Sequence, residues 1–304
     1  MATYFFDYVN GDDGNDGLSA GSPKKNWSEL RSVLASGAHH IYIDTSDGPM
    51  IADDSVACEI QNSGTIIESA TEDMAVIQCC KTVTSWSQPD ADNYPNVWST
   101  SDIDNHYNTM GILEGLGKFR YLELKESGSV PWSELNSNPG TYWTTPNSTA
   151  IYMHPPGSGD PTSDGNEYVR SRLFSNSVAG NGEAAMIVRT SCEISGLHMF
   201  GTTTSNEQTG APHNGALITV VGGTLVHIHD SRFEHGGAHL LGNERILSDG
   251  HTLVEDVVLG QCTPSATSAE ASPLVDYVDT GGTNSSTYRR VQCLRNWGLA
   301  GSSS

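Results

Sequence analysis

One arrangement of apolar and polar positions is written four times between about Thr190 and Trp297. The copies are Ile194-Ser-Gly-Leu-His-Met199, Ile228-His-Asp-Ser-Arg-Phe233, Val254-Glu-Asp-Val-Val-Leu259 and Tyr288-Arg-Arg-Val-Gln-Cys293. They start 34, 26 and 34 residues apart. Cys192 and Ile194 alternate with Glu193, the period of a strand. Ser195-Gly196 interrupts that alternation as a bend does, and Leu197 and Met199 resume it around His198. A strand, a two-residue corner and a second strand, recurring at this interval, predict parallel coils stacked as a solenoid. Ile194, Ile228, Val254 and Tyr288 then form one interior column, and Met199, Phe233, Leu259 and Cys293 another. A β-sandwich with loosely regular strands is the alternative; the corner at one offset in all four copies favours the stack.

Ahead of the repeats, Tyr4-Phe-Phe-Asp-Tyr-Val9 reads as a strand and Asn10-Gly-Asp-Asp-Gly-Asn-Asp-Gly17 as an acidic turn. From Ser22-Pro23 onward, Trp27, Leu30, Val33 and Leu34 share one helical face, with a stop at Ser36-Gly37. Ile41-Tyr-Ile43 is the next strand. Residues 51–80 give more coil material in Val56-Ala-Cys-Glu-Ile60, Thr65-Ile-Ile67 and Ala75-Val-Ile-Gln-Cys79.

This opening, a strand into "NGDDGNDG", an "SP" step into a short amphipathic helix and then "IYI", resembles the N-terminal cap of the pectate-lyase-like superfamily. The superfamily includes polysaccharide lyases and phage tailspikes or tail fibres. The resemblance implies an all-β fold, a right-handed parallel β-helix whose exposed end is plugged by the helix.

Composition changes between 82 and 172. That stretch holds Trp86, Trp98, Trp132 and Trp143, four of the six tryptophans, and eight of the thirteen prolines. It reads as an inserted β subdomain, with Gly140-Thr-Tyr-Trp143 and Ala150-Ile-Tyr-Met153 resembling a hairpin that recurs as an insertion in the superfamily. The expected organisation is therefore a cap at 1–45, first coils at 46–81, the insertion at 82–172 and further coils at 173–304. The end after Trp297 shows no second cap, so a neighbouring chain or a continuation past Ser304 is expected to cover it.

Fifteen Lys+Arg against 36 Asp+Glu give a net charge of −21. Nucleic acid and anionic membrane surfaces are poor partners for such a chain. No stretch approaches the length of a membrane span, and the first residues lack a secretory leader pattern. The six cysteines show no metal-type CxxC pairing and are expected as buried thiols rather than a disulfide framework.

Candidate chemistry gathers on the repeats. Asp230 and Asp256 fall at equivalent corners of successive copies, with Glu255 beside them and Glu193 one copy earlier. Two carboxylates about one strand spacing apart suit acid–base glycoside hydrolysis, calcium binding or plain solvation. The segment His227-Ile-His-Asp-Ser-Arg-Phe-Glu-His-Gly-Gly-Ala-His239 adds four histidines, with a metal such as zinc conceivable although the spacing matches no tight motif. Arg232, His198 and His227 are candidate substrate contacts, or an acid–base set for lyase chemistry. Trp98 and Trp143 are candidate sugar platforms, the alternative being a subdomain core. Asp12, Asp13 and Asp16 resemble part of a calcium loop, but Pro23 stands where its glutamate belongs.

The resemblance, the unsealed far end and the absent leader imply a virion component of the tail-fibre or tailspike type. Such a protein is expected to contact surface polysaccharide as a homotrimer or with other virion proteins. The alternative is a secreted glycoside hydrolase or polysaccharide lyase using Asp230, Asp256 and Glu255, or Arg232 and His198. Net charge favours a neutral-sugar hydrolase over a lyase of anionic glycans.

Overall fold

The structure is a computed structural model that describes residues 1–103, 110–115, 118–125, 129–144, 149–172, 174, 184–202, 215–237, 240–243, 250–260, 274–276 and 284–294. Strand β1 (Ala2–Asp7) is followed by helix α1 (Trp27–Ser36), then β2 (His39–Asp44), β3 (Met50–Ile51), β4 (Cys58–Ile60), β5 (Thr65–Ser69) and β6 (Ala75–Gln78). The tryptophan-rich stretch contributes β7 (Lys81–Thr82), β8 (Trp98–Thr100), β9 (Met110–Gly115), β10 (Lys118–Tyr121), β11 (Glu123–Leu124), α2 (Trp132–Ser137), β12 (Thr141–Trp143), β13 (Ile151–His154) and β14 (Glu167–Arg170). Then come β15 (Ala184–Val188), β16 (Cys192–Ser195), β17 (Leu197–Phe200), β18 (Ala216–Val220), β19 (Leu225–Glu234) and β20 (Leu241–Asn243). The last strands are β21 (His251–Leu259), β22 (Leu274–Asp276), β23 (Ser285–Arg289) and β24 (Gln292–Cys293).

The apolar columns form as the repeated phrase requires. Ile194 pairs with Ile228, Ile228 with Val254 and Val254 with Tyr288, and the first column runs back through Ile67 to Ile41. Met199, Phe233, Leu259 and Cys293 line up in the second, which reaches back to Ile77. Apart from Tyr288 and Cys293, every one of these side chains is fully buried. Each contributes about 1.5–3 kcal/mol of burial energy. Helix α1 lays Trp27, Leu30, Val33 and Leu34 on the same core, as its period predicts.

The expectation of an all-β right-handed parallel β-helix, a solenoid of separate strand–corner–strand coils, is corrected at the level of the sheet. Eight parallel strands in the order β1-β2-β5-β16-β19-β17-β6-β3 form a nearly closed, barrel-shaped wall round the core, and β21, with β23 and β24 on it, extends this eleven-stranded sheet from β19. The reason lies in the bends. Gly196, Asp230, Asp256 and Arg290 occupy the third position of the four phrases, and all have left-handed backbone, with φ of 64, 48, 54 and 50°. One left-handed residue turns the chain while pairing continues on both sides, as His229 with Glu255 and Ser231 with Val257 show. β19 and β21 therefore run through the bend unbroken and join two runs of strands into one sheet. Glycine adopts this backbone freely and aspartate tolerates it, whereas arginine meets a cost of about 1–2 kcal/mol.

A second parallel sheet, β4-β15-β18-β20-β22, packs on the same core through Met186, Val188, Ile218, Val220 and Leu241. The tryptophan-rich stretch forms two four-stranded sheets of its own, β10-β9-β14-β7 and β11-β12-β13-β8. Cys58, Cys79, Cys80 and Cys192 are buried free thiols, and burial pushes the Cys79 and Cys192 thiols up to about 12. Cys293, expected inside, is exposed on the short final strand β24. Cys262, His239 and residues 295–304 lie outside the described residues.

Candidate functional site

Strand alternation builds a polar ledge on the outer side of the wrapped sheet. Because Ile194, Ile228 and Val254 point inward, Glu193 on β16, His227 and His229 on β19 and Glu255 on β21 point outward. Glu193 is the cross-strand partner of His227, and Glu255 that of His229. Asp230 and Asp256 sit opposite one another at the neighbouring bends, between registered pairs on either side. The register thus brings both candidate aspartates and Glu255 beside each other.

The side chains form a connected network. His229 lies 3.1 Å from Glu193 through Nε2 and 2.7 Å from Asp230 through Nδ1. Its ring stacks on that of His227 at 4.2 Å, and His227 Nε2 is 3.0 Å from Glu255. Burial disfavours the charged His229 ring, but hydrogen bonds to Asp230 and Glu193 outweigh it and raise its pKa. Arg290 donates through Nε and Nη2 to the two oxygens of Asp256, and its fork holds that carboxyl below the usual range. Asp230 is the more open of the pair, its side chain 65% exposed against 39% for Asp256.

Past the bend, the outward positions are His198 on β17 and Arg232 on β19, again cross-strand partners. Both contact Glu234, His198 at 2.9 Å and Arg232 at 2.6 Å. Burial would raise the Glu234 carboxyl, yet these two partners pull it down to about 2. Gly260 makes the room: a Cβ there would lie 2.5 Å from Glu234 Cγ. Next in the chain, burial lowers His235 to about 4. Arg232 and His198 are brought together as anticipated, but around a buried carboxylate of this chain.

Other candidates are placed elsewhere. Trp143 is only 6% exposed and packs with Val97 and Leu135, so its ring belongs to the core of the small sheets; Trp98 is half-buried. Asp13 accepts hydrogen bonds from the backbone of Lys25 and Asn26, Asp12 from Gly14 and Asp16 from Leu18. These carboxylates tie the acidic loop to itself and to the start of α1. Among the described residues they join no group of three metal donors, whereas Glu193, His227 and His229 do, with ligand atoms all within 4.8 Å of one another. That trio could hold a metal ion. Arg290 and the clamping role of Glu234 were not singled out in the sequence; alignment of the four phrases does put Arg290 on the bend that Asp230 and Asp256 share.

No family model matches the chain, and no curated protein matches it. Two of the solved structures that match the chain show its fold. One is described as the complex of XylC with xylose, at TM-score 0.56 and 12% identity over 86% of this chain and 50% of that one. The other is described as a glycoside hydrolase, at TM-score 0.50 and 10% identity over 85% of this chain and 67% of that one. The chain therefore spans about half the length of the XylC structure. The likeness falls on these proteins, which corrects the expected resemblance to the pectate-lyase-like superfamily. It also corrects the expectation of a phage tail-fibre or tailspike virion component.

Proposed function

We propose that the chain is a carbohydrate-active hydrolase that cleaves a glycosidic bond in a neutral sugar, with Asp230 and Asp256 as its working carboxylates. The observation that carries this reading is their position on equivalent left-handed bends of adjacent strands. Strands lie roughly 4.8 Å apart. That spacing is close to the ~5–5.5 Å between the carboxyl groups of retaining glycosidases.

Environment divides the labour. Asp256, held ionised by Arg290, is the carboxylate that attacks or stabilises the sugar cation. Asp230, open to solvent and hydrogen-bonded to His229, exchanges the proton with the leaving oxygen. Glu255 neighbours both Arg290, at 3.8 Å, and His227, and keeps the ledge acidic. Five carboxylates (Glu193, Asp230, Glu234, Glu255 and Asp256) on the ledge, and Arg232 neutralised by Glu234, disfavour an anionic glycan. The fold shared with a xylose complex and a glycoside hydrolase supports a neutral sugar as the substrate class.

Hydrolysis of a panel of neutral and uronic-acid glycosides tests the reading. Turnover is expected on neutral members, falling about 100-fold or more in Asp230→Asn and in Asp256→Asn. Asparagine tolerates left-handed backbone, so both variants keep the bend. Undiminished turnover in both variants, or turnover confined to uronic-acid substrates, contradicts it.

A further inference from the structure

We propose that Glu193, His227 and His229 form a binding site for one divalent transition-metal ion, with zinc as the best fit. The site follows from strand geometry. His227 and His229 are two residues apart on β19 and so share a face, while Glu193 is directly across from His227 on β16. A two-residue step along one strand and a single step across the sheet bring three donors to one point. Their ligand atoms already lie within 4.8 Å of one another. His229 Nε2 and Glu193 Oε1 are 3.1 Å apart. Bonds of about 2.0–2.1 Å at tetrahedral angles need neighbouring donors roughly 3.3 Å apart, so this edge is close to its liganded length.

The surrounding groups are arranged as a metal site requires. Asp230 engages His229 Nδ1 at 2.7 Å, which fixes the ring and aims Nε2 at Glu193. A carboxylate on the far nitrogen of a ligating histidine orients the ring and raises its basicity. Glu255, 3.0 Å from His227 Nε2, adds a further carboxylate at the rim. Two imidazoles and one carboxylate are a donor set for zinc and its neighbours, whereas calcium asks for six to eight oxygens. Glu193, His227 and His229 are all partly exposed, so an ion reaches them from solvent and keeps a coordination position open.

The test is calorimetric titration of tag-free, chelator-treated protein with zinc sulfate, and then with calcium chloride. One zinc per chain is expected, with calcium binding at least about 100-fold weaker. His229→Gln and Glu193→Gln should each weaken zinc by about tenfold or more, and Asp230→Asn by about tenfold through the lost orienting contact. Calcium bound as tightly as zinc, or zinc affinity unchanged in the His227→Gln/His229→Gln double variant, overturns the site. Circular dichroism of each variant separates loss of ligand from loss of fold. Binding is read without any substrate, so this site and the hydrolase reading stand or fall separately.

Discussion

Arg290 and Asp256 meet end to end, with Nε and Nη2 each 2.5 Å from one carboxylate oxygen. They are the third residues of neighbouring phrases, and both hold left-handed backbone. The fork therefore links two consecutive bends and keeps Asp256 ionised. Arg290→Asn keeps the backbone and removes the fork, so the Asp256 pKa rises toward its ordinary value. The acidic limb of the pH profile of kcat/KM should then move to higher pH. An unmoved limb would show that Asp256 does not set it.

Acid should lower stability over two pH ranges. His235 is buried and its folded pKa lies near 4, against 6.5 for a free histidine. Below 6.5 the unfolded chain takes up a proton that the folded one refuses, so stability falls between about pH 6.5 and 4. Glu234 has a folded pKa near 2 against 4.5, so its contribution is complete above 4.5 and is lost as pH drops toward 2. Urea unfolding across this range should show both slopes. His235→Asn, which suits the left-handed φ of 53° at that position, should flatten only the first. Glu234→Gln should flatten the second and cost on the order of 2–3 kcal/mol at pH 7 by stranding Arg232 and His198. A single slope centred near pH 4.5 would contradict the assignment.

The bends set the path of the sheet, so their backbone should be measurable as stability. Asp230→Val places a β-branched side chain at φ 48° and should cost about 1–2 kcal/mol or more. Asp230→Gly should cost little, because glycine adopts that backbone without strain. Equal losses in the two variants would mean that the aspartate side chain, rather than the backbone angle, matters there.

Much of this arrangement was legible in residue order. The phrase beginning at Ile194, Ile228, Val254 and Tyr288 read out the apolar columns, and period-two alternation put Glu193 and His227 on the opposite face. The helix over Trp27–Leu34 followed from its 3.6-residue spacing. The shape of the sheet was not legible, because a corner that breaks a strand and a bend that carries pairing through it share the same polar residues. Only the φ values of Asp230 and Asp256 separate the two. The contacts of Glu234 are not legible for a related reason. Its role depends on His198, 36 residues earlier, and on the space left by Gly260. Cys293 was misplaced because the column it joins ends in a two-residue strand with no covering neighbour among the described residues.

The pairing of Asp230 with Asp256 is tested most directly by the stereochemistry of the sugar released from a neutral glycoside, followed by proton NMR in the first minutes of reaction. Carboxylates carried on bends one strand spacing apart predict retention of the anomeric configuration. Release of the inverted anomer would require a wider pair with a water between, and would contradict the assignment of these two aspartates.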